Sequence, residues 1–154
     1  MTKAELFRKL PADMRASVEA QLAALPARGR GNKFNAQACY TELFPILRGI
    51  RFGSKVERDY GLILAARQLA GEITGLRCHP TFHLGPARIS YKADFGCFEN
   101  GMAIAIEVKG VMTERFRMVC RLWAVHGPCE LRVVRRCRGQ GMKVVQAIAC
   151  GERV

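Results

Sequence analysis

The dipeptide Asn100-Gly101 places the strongest constraint on how this chain folds. It separates two largely apolar runs with alternating character, residues 89–98 and 102–109. A two-residue loop of type I′ needs positive φ at both positions, which Asn and Gly tolerate better than other residues. The sequence therefore predicts an antiparallel hairpin whose register is fixed by this loop.

That register brings charged side chains together on one face of the predicted hairpin. Asp94 falls opposite Glu107, while Lys109 and Lys92 lie on the same face because side chains alternate along a strand. Two carboxylates that face each other across strands, with Cβ atoms roughly 4.5–5.5 Å apart, repel. We therefore expect a positive charge beside them, either the Lys109 ammonium or a divalent cation, which prefers hard oxygen ligands. The alternative is a solvent-facing strand face with incidental charges.

The opposite face of the hairpin is apolar and is predicted to face the core. Its members are Tyr91, Ala93, Phe95 and Cys97 on the first strand and Ile104, Ile106 and Val108 on the second. On the charged face Gly96 lies opposite Ala105, and these small residues predict open space above the sheet.

The remaining elements predict a mixed α/β domain in the order α-β-β-β-α-β. A helix is expected between Ser54, which forms a capping box with Glu57, and the C′ residue Gly71. A second helix is expected over residues 113–126, where apolar side chains recur at helical spacing. Strands are expected over residues 81–84, 89–98, 102–109, 130–134 and 144–148.

Segments with other properties flank this predicted domain. Residues 1–25 have helical periodicity, and residues 26–36 mix Pro and Gly with basic side chains, which is typical of a flexible linker. We divide the chain into residues 1–30, a helical N-terminal arm and basic linker; residues 31–137, the core; and residues 138–154, a C-terminal strand or tail.

The charge of the chain indicates an anionic partner. The formal net charge is +12 at 154 residues, with a pI near 9.9. Such an excess attracts polyanions, of which nucleic acid is the commonest for a protein without a membrane segment. The alternative is a solvated basic surface with no partner.

The cysteines and the hydropathy pattern exclude several other classes. Seven cysteines with no CxxC pair indicate reduced thiols in a cytoplasm rather than a disulfide framework. A zinc site at Cys78, His79 and His83 is disfavoured because a fourth ligand at suitable spacing is lacking. No apolar run suits a signal peptide or a membrane span, so no membrane partner is expected.

Four residues of the hairpin carry a family resemblance. The spacing of Asp94 from Glu107-Val108-Lys109 resembles the D-(x)n-ExK active site of the PD-(D/E)xK nuclease superfamily, in which Glu57 would be the acidic residue on a preceding helix. Between residues 32 and 134, the runs NKFNA, FGSKVERDYG, YKADF and EVKGVMTERF resemble a family of short phage-associated proteins of that superfamily. The arrangement is also similar to that of archaeal-type and phage Holliday junction resolvases.

The chain departs from the superfamily pattern at two points. Ala93 stands where the superfamily has its eponymous proline, and no glutamine follows Lys109 on the next helix. Arg117 or Arg121 would take the place of that glutamine, or the role is empty.

The resemblance implies a restriction-endonuclease-like fold, with a core of order α-β-β-β-α-β, a mixed sheet flanked by helices and an N-terminal helical arm. It implies that Asp94, Glu107 and the Val108 carbonyl hold Mg²⁺, for which Mn²⁺ can substitute. Lys109 would orient or help deprotonate the attacking water. Glu57 would contact a metal directly or through water, although a carboxylate at this position can also simply cap its helix.

The DNA-binding candidates are basic residues on both sides of this predicted site. For those on the strand and the second helix, a solvated surface is the alternative. The candidates are Arg30, Lys33, Lys55, Lys92, Arg117 and Arg121.

The resemblance implies a metal-dependent endodeoxyribonuclease that is selective for branched DNA such as a Holliday junction. Symmetric cutting of two strands implies a homodimer, acting in the cytoplasm of a bacterium or of a phage-infected cell. The alternatives are a phage nickase, a DNA end-processing nuclease, or a non-catalytic DNA-binding module with a nuclease-like fold.

Overall fold

A five-stranded mixed sheet lies at the centre of the computed structural model, which describes residues 38–150. The predicted helical arm and the linker residues Arg30 and Lys33 lie outside the described residues. Helix α1 (Lys55–Leu69) packs on one face of the sheet and helix α2 (Glu114–His126) on the other. The α/β class with a mixed sheet is therefore confirmed. Neither helix is long and apolar enough to cross a membrane, nor is any other helix within residues 38–150.

The strands form two sheets. The strand order of the large sheet is β1-β4-β5-β6-β7, in which β5 and β6 are parallel and the other neighbours antiparallel. Strands β2 and β3 form a separate antiparallel pair. The bounds are β1 Thr74–Cys78, β2 Thr81–Leu84, β3 Ile89–Lys92, β4 Phe95–Glu99, β5 Met102–Val108, β6 Glu130–Cys137 and β7 Gly141–Ile148, preceded by a 3-10 turn at Pro45–Leu47.

Both helices begin and end as their sequences predict. Ser54 caps α1 by accepting a hydrogen bond from the Glu57 N–H, and Gly71 follows the helix with φ 75°. Thr113 caps α2 by accepting from the Phe116 N–H at 3.2 Å. These caps satisfy backbone donors that have no partner within the helix.

The predicted register of the β4–β5 hairpin is confirmed. Asn100 and Gly101 have φ of 50° and 76°, the left-handed conformation that a type I′ loop requires. As a result, Phe95 faces Ile106 and Gly96 faces Ala105. The loop chemistry alone therefore determines which side chains share each face of these two strands.

The predicted strand over residues 89–98 is wrong, because the chain bends between β3 and β4. On the opposing segment His79 has φ 54° and is followed by Pro80, which has no N–H to donate. The His79 N–H donates to the Asp94 carbonyl at 2.8 Å, and the Ala93 N–H donates to the Pro80 carbonyl at 3.0 Å. Strands β1 and β2 thus pair with β4 and β3 as one long hairpin that continues through the bend. The outer part of this hairpin, β2 and β3, turns out of the sheet.

Two expectations that depended on an unbroken strand are corrected by this bend. Lys92 faces Thr81 and not Lys109. Tyr91 and Ala93 pack with α2, on the opposite side of the sheet from Phe95. The strand that continues the sheet beside β4 is β1, which the sequence analysis did not predict.

The open space predicted above Gly96 is also absent. A Cβ atom at Gly96 would lie 3.2 Å from Cγ of Pro80, so the proline ring fills this position. Ala105, directly opposite, is fully buried. The small residues allow the bent hairpin to approach the sheet closely, and they do not form a cleft.

Two apolar cores hold the helices against the sheet. The first lies between α1 and the face that carries Phe95, Cys97, Ile104 and Ile106. The second lies between α2, the opposite face of the sheet and the β2–β3 pair. Trp123 is the largest fully buried side chain, and its ring lies edge-on to Phe82 with centroids 5.0 Å apart.

We expect Trp123→Phe to lower the free energy of unfolding by about 1–3 kcal/mol, because the indole N–H is the donor to the buried Cys129 carbonyl at 2.7 Å. Urea unfolding followed by circular dichroism measures this change. Leu69→Ala, at an exposed position at the end of α1, is the control, with an expected change of less than about 0.5 kcal/mol. Equal stabilities of the Trp123 variant and the wild type would contradict the prediction.

Candidate active site

The residues predicted for catalysis converge where β5 ends, next to the bend of the long hairpin. Asp94 lies in the bend itself, immediately before β4. Glu107 is on β5, with Lys109 two residues further along. Glu57 reaches the same region from the first turn of α1.

Glu107 is a buried carboxylate that lacks a full set of hydrogen-bond partners. The residue is only 3% exposed. Its Oε1 atom lies 2.5 Å from Lys109 Nζ, whereas its buried Oε2 atom forms no hydrogen bond with any residue between 38 and 150. Burial, the Glu107 charge and a side-chain interaction with the Glu107 carboxylate all raise the pKa of the neighbouring Tyr91. An unpartnered buried carboxylate oxygen is energetically unfavourable, so this atom is available to a cation or a donor.

Lys109 links this carboxylate to solvent. Its Nζ atom lies beside Glu107 and 4.8 Å from the centroid of the Phe116 ring, a geometry that favours a cation over an aromatic face. The side chain remains 29% exposed. The ammonium thus contacts the buried Glu107 carboxylate and the buried Phe116 ring, and it is still accessible to solvent.

Asp94 is held by the backbone on both sides of the bend. Its Oδ2 atom accepts a hydrogen bond from the Val108 N–H at 2.7 Å, and its carbonyl accepts from the His79 N–H. Burial, followed by the charges of Glu107 and Glu57, raises the pKa of Asp94 from 3.8 to about 8. The carboxyl group is thus fixed by the backbone, and its raised pKa favours the protonated form unless a further positive charge lies beside it.

Glu57 forms capping contacts at the start of α1, and its carboxylate also contacts His79. Its N–H donates to the Ser54 hydroxyl, while its Oε2 accepts from the Gly53 N–H at 2.8 Å. Its Oε1 lies 2.8 Å from His79 Nε2. The carboxylate therefore stabilises the helix start and points towards the bend.

His79 is a site residue that the sequence analysis missed. It contacts Glu57 through its ring and Asp94 through its backbone, so it joins two of the predicted acidic residues. The sequence contains a signal for its position, because a Pro after His79 interrupts strand pairing between two β-rich segments. The contact with Glu57 spans 22 residues and has no local signal.

We expect His79→Ala to lower the free energy of unfolding by about 1–3 kcal/mol, because the buried Glu57 carboxylate loses a partner and Ala is strained at positive φ. His79→Asn should lose less, since Asn tolerates the left-handed conformation. Chemical denaturation of both variants measures the difference. Equal losses would show that backbone conformation at this bend contributes nothing measurable.

A cleft of about 600 Å³ opens above Glu107 and Lys109. Strand β3 forms one wall and the outer face of α2 the other. Of the predicted DNA-binding residues, Lys92 lines this cleft, whereas Arg117 and Arg121 are exposed on α2 without lining it. Arg117 pairs with Glu114. Lys55 is exposed at the first residue of α1.

Arg115 lines the cleft and was not among the predicted residues. Helical spacing indicates a face, but it does not indicate which neighbouring element that face approaches. The position of the bent β2–β3 pair determines which α2 residues line the cleft together with β3. Arg115 and Met118 do so, and Arg121 does not.

The acidic residues fit a divalent cation in part. Within residues 38–150, no three His, Cys, Asp or Glu side chains surround a common point as a complete metal site. Two features nevertheless suit a cation: the unpartnered Glu107 Oε2 and the raised pKa of Asp94. A hard cation between these carboxylates would relieve both. Asp94 and Glu107 are therefore the residues that would hold it, and the Val108 carbonyl stays a predicted ligand.

Comparison with known proteins identifies one family. Residues 33–141 match the family described as "Protein of unknown function (DUF1064)". The matched segment contains Glu57, Asp94, Glu107 and Lys109. No curated protein and no solved structure matches the chain.

Proposed function

The chain belongs to the family described as "Protein of unknown function (DUF1064)", and since that description assigns no activity, we propose one from the site: metal-dependent hydrolysis of DNA phosphodiesters by a PD-(D/E)xK-type endonuclease. The observation that carries the proposal is the buried Glu107 at the floor of an open cleft, with Lys109 beside one oxygen and no hydrogen-bond partner for the other among residues 38–150. A buried ion pair with a free oxygen is costly to keep for stability alone.

The order of elements around the large sheet supports this proposal. Without the β2–β3 pair, the chain runs α1, β1, β4, β5, α2, β6, with antiparallel neighbours up to β5 and a parallel β5–β6 pair. This is the α-β-β-β-α-β order that the resemblance implies for a restriction-endonuclease-like core. The β2–β3 pair would then be an insertion between the first two strands of that core, and β7 an addition at its edge.

Each residue of the site has a role in the proposed reaction. Bound Mg²⁺ would activate a water and relieve charge on the phosphate oxygens. Asp94, fixed by the Val108 N–H, and Glu107 supply the carboxylate oxygens that hold the cation. Lys109 presents its ammonium at the cleft floor, where it orients the attacking water or assists its deprotonation. Glu57, which contacts His79 at the edge of the site, would contact the cation directly or through water.

Cleavage of labelled DNA with Mg²⁺ or Mn²⁺ tests the proposal. We expect wild-type protein to cut a four-way junction, and Asp94→Asn to cut at least about 100-fold more slowly, because it loses a carboxylate that holds the cation. Glu42→Gln is the matched control, since Glu42 is exposed and, within residues 38–150, its ion pair is with Arg48 at 3.7 Å. Absence of metal-dependent cutting by wild-type protein that still binds DNA would favour the non-catalytic DNA-binding alternative.

The preference for branched DNA comes from the family resemblance and has its own test. Four-way junctions, flaps and linear duplexes of the same sequence are compared at equal concentration. Faster cutting of the junction supports a resolvase, and a homodimer in sedimentation would accompany it because two strands are cut symmetrically. Equal rates on all three substrates would instead favour a nickase or an end-processing nuclease.

A further inference from the structure

The cleft above Glu107 has apolar side chains exposed on both of its walls. Ile89 on β3 is 48% exposed, and Met118 on α2 is 54% exposed. Val119 and Leu122 continue the α2 wall, and Tyr91 lies between the β3 wall and the floor. Exposed apolar side chains that face each other across a cleft are typical of a site that receives a flat apolar group.

The rim of the same cleft is cationic. Lys92 lies on the β3 wall and Arg115 on the α2 wall, and both are exposed. Neither forms an ion pair with any residue between 38 and 150. Lys109 adds a third cation at the floor. The cleft therefore combines apolar walls with the charges of Lys92 and Arg115, which are available to contact an anion.

This combination matches the chemistry of a nucleotide that is not base-paired. The base is flat and apolar on its faces, and its phosphates are anionic. A volume of about 600 Å³ suits a ligand of this size. A base that remains paired and stacked cannot enter between two protein walls, so enzymes that enclose a base first extrude it or use an unpaired strand.

We propose that this cleft binds one unpaired nucleotide of the DNA substrate, with its base between Ile89 and Met118 and its phosphates against Lys92 and Arg115. The inference rests on the proposed function for the identity of the polymer. It adds the substrate class: the strand that reaches Glu107 is unpaired at the nucleotide beside the phosphate to be cut. A paired end and a continuous duplex would then be poor substrates, and a four-way junction would be cut where its branch point opens and frees a nucleotide.

The first test measures binding to metal-free protein, so that it does not depend on cleavage. The probe is a short duplex with one unpaired 2-aminopurine nucleotide, compared with the fully paired duplex of the same sequence. We expect at least tenfold tighter binding of the unpaired probe in fluorescence anisotropy, with a change in 2-aminopurine emission as the base leaves its neighbours. Equal affinity for the two probes would overturn the inference.

Variants of the two walls locate the binding site. Ile89→Ser and Met118→Ser should each weaken binding of the unpaired probe by roughly 5- to 10-fold, with little effect on the paired duplex, because they remove the apolar surfaces beside the base. Val125→Ser is the control, as Val125 is exposed on α2 but does not line the cleft. Unchanged binding by both wall variants would overturn the assignment to this cleft.

Further experiments compare other ligands that have a base and a phosphate group. Free deoxyadenosine monophosphate that competes as well as the unpaired duplex would assign the cleft to a small nucleotide and overturn the DNA assignment. An RNA duplex with the same unpaired nucleotide tests the choice of polymer, and a clear preference for RNA would also overturn the DNA assignment.

Arg115→Gln should weaken binding of the unpaired DNA probe and reduce the salt dependence of that binding. Arg138→Gln, at the exposed β6–β7 turn, should have smaller effects on both.

Cleavage with Mg²⁺ then distinguishes the two proposals. If the unpaired probe binds in the cleft but neither probe is cut, the nuclease proposal fails and the nucleotide site stands. If cutting depends on Asp94 but paired and unpaired substrates are cut equally, the nuclease proposal stands and the cleft inference fails.

Discussion

Lys109→Met is expected to slow DNA cleavage by roughly 10²- to 10⁴-fold, the range for removal of a group that takes part in proton transfer. The methionine keeps an apolar stem over the Phe116 ring but removes the ammonium that lies beside Glu107. The loss should appear in kcat, with little change in KM, because the side chain lies at the floor of the cleft. Single-turnover cleavage of a labelled junction measures it.

Two controls separate catalysis from stability in this experiment. Lys143→Met removes an exposed lysine from β7 and should retain wild-type cleavage. Lys109→Met also leaves the Glu107 carboxylate without its partner, which lowers stability. The double variant Glu107→Gln with Lys109→Met should recover part of that stability but none of the activity. Cleavage by Lys109→Met within a factor of three of wild type would contradict the role of Lys109.

Metal-free protein is expected to lose stability as the pH rises from about 4 to about 8. The pKa of Asp94 is about 8 in the native state, raised by burial and by the charges of Glu107 and Glu57, against an ordinary value of 3.8. Between these two values the native state binds more protons than the unfolded state, so raising the pH favours unfolding. After a discount for partial solvent access, the effect is on the order of 2–3 kcal/mol, or roughly 5–10 °C in Tm.

Asp94→Asn should remove this dependence and make the metal-free protein more stable than wild type at pH 8, because a neutral amide replaces a carboxyl group that resists ionisation. Thermal unfolding across this pH range in the presence of a chelator measures both effects. Mg²⁺ should raise the Tm of wild type at pH 8 and leave that of Asp94→Asn nearly unchanged. A parallel loss of stability in both proteins would assign the pH dependence to other groups.

The β4–β5 hairpin and the helix ends are the parts of the fold that the sequence predicts best, because each depends on local chemistry. Asn100-Gly101 determines the register through backbone conformation, and Ser54 and Thr113 bond to N–H groups three residues away. Strand β1 lacks such a signal. It contains Gly75 at φ 61°, has an irregular register with β4, and buries only Leu76, so the alternation that indicates a strand is missing.

The candidate site also has one part that local sequence signals predict and one part that depends on packing between distant segments. The register of β4 and β5 predicts that Asp94 and Glu107 come close, and the raised pKa of Asp94 reflects that closeness. The contact of His79 with Glu57 and the place of Arg115 in the cleft depend on how the bent hairpin packs on α2. Such packing joins residues far apart in sequence, and periodicity within one element carries no information about it.

The bend at His79-Pro80 and Ala93-Asp94 separates two parts of the chain that otherwise belong to one hairpin. On its inner side the backbone is held to the sheet, which keeps Asp94 beside Val108. On its outer side β2 and β3 pair with each other and pack against α2 and one face of the sheet, and β3 lines one wall of the cleft. The β2–β3 turn and the exposed residues of this pair can therefore change while the backbone contacts of Asp94 stay in place, so that the cleft wall could vary separately from the proposed catalytic carboxylates.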